Sequence, residues 1–518
     1  MKIAICYPPL KQDKGVPLLS QNRQFQYFKE PTYIYPVVPA QAATMLKNAN
    51  YEVVWIDGIA RNMSYQDFLD EIKKERPDLV AIETKTPVIK QHWKIIDDLK
   101  KLSTINYQLS TVLFGDHVTA LPQESFDNSN VDFVLTGGDY DFLLLNLCEA
   151  FDVGRATEGS PERSRGRTWD VRPKGVPSVA EGGRFEPGIW YRDNGTIKNT
   201  GNFKLDHDLN TMPFIDRDLT KWQLYAYKNG NFKKTPGTYV MAGRDCWWGK
   251  CSFCSWPTLY PNFRVRKVEN VLDEIELLVE RYRVKEIMDD TGTFPAGEWL
   301  DEFCDGMIKR GLNRNVKLDC NMRFGILSSL QYDKMCKAGF RLVLFGLESA
   351  NQKTLDRINK NVTVSQVIES CKAARKAGLY PHITIMFGYP WEAYDDTLKT
   401  LNLGRWLLIK GYAYTVQATI VIPYPGSGLF DDCQKEGLLK TLDWDDYDMK
   451  RPVMKSPVDD EAMLELVQGI YRVAFHPEFI LRRLLAIRSL SDITYFSRAA
   501  RKIFGHIFDF GKKQEQER

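Results

Sequence analysis

Between Arg244 and Pro257 the chain reads Arg-Asp-Cys-Trp-Trp-Gly-Lys-Cys-Ser-Phe-Cys-Ser-Trp-Pro, which spaces Cys246, Cys251 and Cys254 as C-x4-C-x2-C. Three thiolates this close together can all reach one metal centre from a single loop. Three is one short of the four ligands that a closed iron–sulfur cluster or a structural zinc takes. The pattern points to a 4Fe–4S cluster with one open iron, where a further molecule can bind. The alternative is a zinc knuckle or chance clustering.

At 518 residues the chain exceeds one hydrophobic core and is expected to divide into two to four domains. A hydrophobic content of 43% with 26% charged residues is that of a soluble globular protein. The net charge of +3 sets up no overall field for nucleic acid, and no nucleic-acid partner is expected. Of the ten cysteines, the seven outside the loop are scattered singly, so a reducing compartment, the cytoplasm, is expected. The N-terminal run Met1–Pro9 is too short in apolar residues for a signal peptide and reads as a strand ending in a turn. Gly411–Phe430 is uncharged, but Pro423, Pro425, Gly426 and Gly428 make it a buried strand plus loop rather than a membrane span.

Residues 1–153 alternate short β-rich runs (Lys2–Cys6, Glu52–Ile56, Leu79–Glu83, Thr111–Phe114, Phe133–Leu135) with helical patterns (Pro39–Asn48, Tyr65–Glu75, His92–Leu102). That alternation predicts a parallel, doubly wound sheet, with ligands bound at the carboxyl ends of its strands. Pro8, Thr84, Gly115, His117, Thr136, Gly137 and Gly138 fall just past those ends, where small residues let a ligand approach backbone. From Gly154 to Phe185, Gly, Pro, Ser and Arg replace apolar periodicity, and a linker with a small hairpin at Gly188–Ile197 is expected across 154–235.

Six further βα units follow within residues 236–430. Their strands are read at Thr238–Ala242, Glu286–Met288, Val316–Leu318, Arg341–Phe345, Pro381–Phe387 and Val416–Ile422. The helices are read at Trp299–Lys309, Ser329–Lys337, Thr363–Lys376 and Tyr394–Lys410. This is a (β/α)6 partial barrel whose chemistry sits at the strand carboxyl ends, and the cysteine loop follows its first strand. The last region, 431–518, is expected to be helical over Asp459–Phe508. Arg482, Arg483, Arg488, Arg498, Arg501 and Lys502 lie there among Leu, Ile and Phe. It reads as a helical lid with a solvated basic face; contact with a membrane surface or an acidic substrate is the alternative.

The cysteine loop opening a βα barrel resembles the radical S-adenosylmethionine (SAM) enzymes, and the preceding doubly wound domain resembles the cobalamin-binding domain of their cobalamin-dependent branch. Phe253 supplies the aromatic that this family carries before the third cysteine. Met288–Thr291, Cys320–Arg323, Gly346–Ser349, Phe387–Pro390 and Pro423–Gly426 match at successive strand ends, as do Gly115–Pro122 and Val131–Gly138 in the N-terminal part. Two departures stand out. The usual first gap is C-x3-C, one residue shorter than here. The D-x-H-x-x-G motif is missing, since Asp57–Asn62 holds no His, so cobalamin is expected without a protein histidine below cobalt, with His117 as the one possible substitute.

The resemblance implies a 4Fe–4S cluster on Cys246, Cys251 and Cys254, SAM at the open iron, and cobalamin on the N-terminal domain. It places Glu348 and Ser349 against the methionine or ribose portion of SAM, and Asp290 and Arg323 as cofactor or supporting contacts. It further implies an electron donor such as flavodoxin or ferredoxin. The expected activity is methyl transfer to an unactivated carbon of an unidentified substrate. The alternatives are oxidative cyclisation, as in the anaerobic magnesium-protoporphyrin cyclases, or a non-catalytic cobalamin sensor.

Overall fold

The structure, a computed structural model, describes residues 1–11, 14–18, 25–28, 31–104, 107–157, 185–193, 195–230, 232–487, 492 and 496–497. Its N-terminal sheet is built from β1 (Lys2–Tyr7), β2 (Glu52–Asp57), β3 (Leu79–Glu83), β4 (Ser110–Phe114), β5 (Phe133–Leu135), β6 (Ile189–Asp193) and β7 (Thr196–Asn199). The order is β2-β1-β3-β4-β5-β6-β7, with β1 to β5 parallel. Leu79 to Glu83 and Ser110 to Phe114 are buried throughout, as strands covered on both faces must be. Helices α1 (Val37–Asn48), α2 (Tyr65–Glu75), α3 (Ile89–Lys100) and α4 (Tyr140–Thr157) connect these strands. The hairpin assigned to the linker is part of this sheet: β6 pairs antiparallel with β5, Val134 opposite Trp190.

The second sheet holds β8 (Gly237–Val240), β9 (Glu286–Asp289), β10 (Lys317–Met322), β11 (Phe340–Glu348), β12 (Tyr380–Phe387) and β13 (Thr415–Ile420), all parallel and in chain order. Helices α5 (Val268–Glu280), α6 (Glu298–Lys309), α7 (Ser329–Lys337), α8 (Val364–Lys376) and α9 (Tyr394–Ile409) link them. Capping boxes of Ser328 with Gln331 and Thr363 with Gln366 start α7 and α8, satisfying amide donors that the first turn leaves open. Strands β10 and β11 run further than the sequence suggests. Asn321, Met322, Gly346 and Glu348 therefore lie inside strands rather than past them, and Cys320 is an enclosed core residue of β10.

The C-terminal region is less continuously helical than expected. Helix α10 (Asp460–Tyr471) and helix α11 (Pro477–Leu485) are separate, and residues 438–455 contain a bridge between Leu439 and Met454. Arg482 pairs with Glu478 at 2.9 Å and Arg483 packs over Tyr414 and Phe479, while Leu481, Leu484 and Leu485 are exposed. Arg488, Arg498, Arg501 and Lys502 lie outside the described residues. Among the described residues no helix is long and apolar enough to cross a membrane.

Candidate cluster and cofactor site

The cysteine loop begins two residues after a buried anchor. Arg244 donates from Nη1 to Asp139 and Asp141 at 2.9 Å each and from Nη2 to Asp141 at 2.6 Å, tying the loop to the start of α4 in the first sheet's domain. Asp139 also accepts from Arg264 and pairs with His207, so three cationic side chains meet one carboxylate. At the other end, the turn Trp256–Leu259 packs on that same domain. The Tyr260 hydroxyl donates to the Gly138 carbonyl at 2.9 Å, and the Gly138 amide donates to the Leu259 carbonyl at 2.9 Å.

Between these anchors, Cys246, Cys251 and Cys254 line one cavity of about 200 Å³, together with Phe253, Asp290, Arg323 and Glu348. The Cys246 thiol lies 3.1 Å from Thr293 Oγ1. The Cys251 thiol lies 3.9 Å from Arg323 Nη1; burial raises its pKa, while Lys360 and Arg323 pull it the other way. The Arg323 guanidinium sits over the rings of Trp247 and Trp248 and donates to the Lys360 carbonyl. Among the described residues no three His, Cys, Asp or Glu side chains converge on a single-ion position. A cluster with one iron for each thiolate does not require them to.

Glu348 closes the wall opposite. Its φ of +62° turns the end of β11 and sends the carboxylate back over Gly346 to Lys360 Nζ, 2.7 Å away. A Cβ at residue 346 would stand 2.0 Å from Glu348 Oε1 and 2.6 Å from Lys360 Nζ, so only glycine leaves room for this pair. Burial opposes the Lys360 charge, but Glu348 outweighs it and raises the ammonium pKa. Glu348 Oε2, Arg323 Nε and Trp247 Nε1 are buried without partners, polar atoms that a bound group could satisfy. The donor set, three thiols beside unsatisfied carboxylate and guanidinium atoms, suits a cluster that carries an amino-acid chelate.

Ser349 is not part of this wall. It is buried, and its hydroxyl donates to Glu392 Oε1 at 2.6 Å. Among the lining residues that sequence reasoning passed over are Lys360, from the segment between β11 and α8, and His382, on β12. Strict alternation along β12 puts His382 on the same face as Thr384 and Met386, and that was the available signal. Lys360 follows no spacing rule.

The seven residues proposed at the N-terminal strand ends face protein in this arrangement. The crevice between β1 and β3, where the strand order reverses, is filled by the Tyr7 hydroxyl donating to Glu83, whose pKa burial pushes up to about 7. Pro8 is buried beside it, and Thr84 Oγ1 is bound to His92 at 2.7 Å. Gly115 abuts the Thr84 carbonyl, Gly137 the ring of Phe203, and Gly138 the ring of Tyr260, while Thr136 Oγ1 donates to the Gly188 carbonyl. His117 is fully buried with both ring nitrogens engaged, Nδ1 3.2 Å from Thr86 Oγ1 and Nε2 2.9 Å from Glu124 Oε2, and it lies against Trp444. Among the described residues these seven positions are therefore occupied by protein neighbours, and as arranged here they offer no open contact to cobalamin.

Residues 241–404 match the radical SAM superfamily. That stretch is a radical SAM domain, and it takes in the cysteine loop and strands β9 to β12. Among proteins it resembles, an uncharacterised methyltransferase of Pyrococcus horikoshii is 27% identical over 89% of this chain and 94% of its own length. The anaerobic magnesium-protoporphyrin IX monomethyl ester cyclase of Cereibacter sphaeroides is 25% identical over 84% of this chain and 65% of its own. The solved structure of OxsB, a cobalamin-dependent SAM radical enzyme with aqua-cobalamin bound, superposes with a TM-score of 0.65 at 14% identity, covering 98% of this chain and 72% of that one.

Proposed function

We propose that this radical SAM enzyme transfers a methyl group to a carbon of its substrate. The observation that carries the reading is the single cavity in which three cysteine thiols meet Glu348, Lys360 and Arg323, at the strand ends of a six-stranded barrel. A relative named as a methyltransferase along almost the whole chain supports the choice of reaction.

In this reading Cys246, Cys251 and Cys254 hold a 4Fe–4S cluster, and the bound cluster with SAM supplies one-electron cleavage of a carbon–sulfur bond. The chain's own residues position and shield that chemistry. Arg323 lays a fixed positive charge beside Cys251, Trp247 and Trp248 keep water from that side, and the Glu348 carboxylate, held by Lys360, offers its free oxygen to an ammonium group. Cobalamin is the methyl carrier that the resemblance implies.

Anaerobic reconstitution followed by iron, sulfide and cobalt counts tests the cofactors, and joint assay of 5′-deoxyadenosine and S-adenosylhomocysteine tests the reaction. 5′-Deoxyadenosine without S-adenosylhomocysteine would refute methyl transfer. The likeness to the anaerobic cyclases favours a second reading, oxidation or ring closure. A product that has lost hydrogens or gained oxygen, rather than a methylene, would select it.

A further inference from the structure

The cavity is divided by charge. Its ionised side chains, Asp245, Lys250, Asp290, Arg323, Glu348 and Lys360, all come from the cysteine loop, the strand ends and the segment just beyond β11. The wall further in is carried by Leu344 on β11, His382, Thr384 and Met386 on β12, and Gln417 on β13, with no ionised group. Burial holds the His382 ring neutral by lowering its pKa to about 4.

Strand register fixes this wall. His382 lies opposite Leu344 on one side and Thr415 on the other, and Glu348 lies opposite Ile385. Three residues of strand, about 10 Å, therefore separate the level of His382 from that of Glu348. His382 Nδ1 is 2.8 Å from Thr415 Oγ1, which sets the tilt of the ring. Its Nε2 is buried and without a partner, although the residue lines the cavity. A buried polar atom left open toward a cavity is the signature of a contact made by something that enters it.

We propose that His382, Thr384 and Gln417 form the recognition wall for the substrate, an uncharged molecule with an apolar body that presents one hydrogen-bonding group, such as an amide, to His382 Nε2. The proposal rests on the reading above only in taking this cavity as the substrate's. Leu344 and Met386 cover the apolar body. A carboxylate or ammonium here would lose its hydration with no opposite charge on the wall, whereas an uncharged amide exchanges one set of hydrogen bonds for another. If Nδ1 accepts from Thr415, Nε2 donates; if Nδ1 donates, Nε2 accepts. An amide answers either tautomer.

The test uses full-length, cluster-reconstituted protein labelled with 13C at the histidine Cε1. The chain has six histidines, and the spectrum of His382→Gln assigns the signal. Benzamide, benzoate and benzylammonium are matched in size and differ in charge. The expected result is a saturable shift of the His382 signal with benzamide and none with the two ions, and at least tenfold weaker benzamide binding in Gln417→Ala. No shift up to the solubility limit of benzamide, or an equal shift with benzoate, overturns the proposal. The measurement reads no turnover, so its failure is distinguishable from a failure of the methyl-transfer reading.

Discussion

His207 pins the segment between the two sheets to the first sheet's domain, and titrating it should loosen that hold. Its ring is stacked on Phe142 at 4.1 Å, with Nδ1 3.0 Å from Asp139 and Nε2 3.0 Å from Glu186. Burial works against its charge, but the two carboxylates outweigh burial and raise the pKa from 6.5 to about 9. A folded pKa above the unfolded one means that the stabilisation is fully present below pH 6.5 and is lost as pH rises through about 9. At about 1.36 kcal/mol per pH unit the rise is worth about 3 kcal/mol at most. The Glu186 side chain is 39% exposed, so screening reduces the expected loss to about 2 kcal/mol. Urea titrations followed by tryptophan fluorescence at about pH 6 and about pH 9.5 measure it. Wild-type protein should lose this stability between the two conditions, and His207→Gln should be weaker at the lower pH and nearly flat between them. Equal losses in both proteins would refute the assignment of the slope to His207.

Three further outcomes follow from the site. Alanine at any one of Cys246, Cys251 or Cys254 should abolish reconstituted iron–sulfur absorbance near 400 nm while leaving far-ultraviolet circular dichroism unchanged. Gly346→Ala drives a methyl group into the Glu348–Lys360 pair; Lys360→Ala leaves Glu348 buried without its cation and should cost about 3–5 kcal/mol. Both should abolish 5′-deoxyadenosine production, whereas Ser349→Ala, outside the cavity, should spare it. If cobalamin is taken up, the electron paramagnetic resonance of its cobalt(II) form should show no histidine nitrogen splitting, and His117→Ala should not alter it. A splitting that disappears in the variant would contradict the engagement of both His117 nitrogens.

Much of the fold was legible because strands such as Leu79–Glu83 are short apolar runs between helical periods, and those patterns depend only on local spacing. The cysteine loop was legible for the same reason: its ligands are neighbours in sequence. Failures came where a partner lies far along the chain. His117 reads as a loop residue beside a ligand, but Trp444, bound 2.8 Å from Glu124 across 320 residues, helps to enclose it. Glu348 and Ser349 read in sequence as one pair at a strand end, but the positive φ at 348 sends the two side chains to different surroundings. The hairpin β6–β7 was recognised by its turn, but its pairing with β5 is a long-range choice that no local signal carries.

The contact between Tyr260 and Gly138 has a consequence for how the protein matures. The turn that ends the cysteine loop is bolted, by hydrogen bonds in both directions, to the strand end where a second cofactor would have to be admitted. Anything seated there must lean on that turn and so on Cys254, and a cluster that stiffens the loop must in turn brace the strand end. The cysteine loop and that strand end should therefore gain or lose rigidity together, and amide exchange at Gly138 should slow when the cluster is reconstituted.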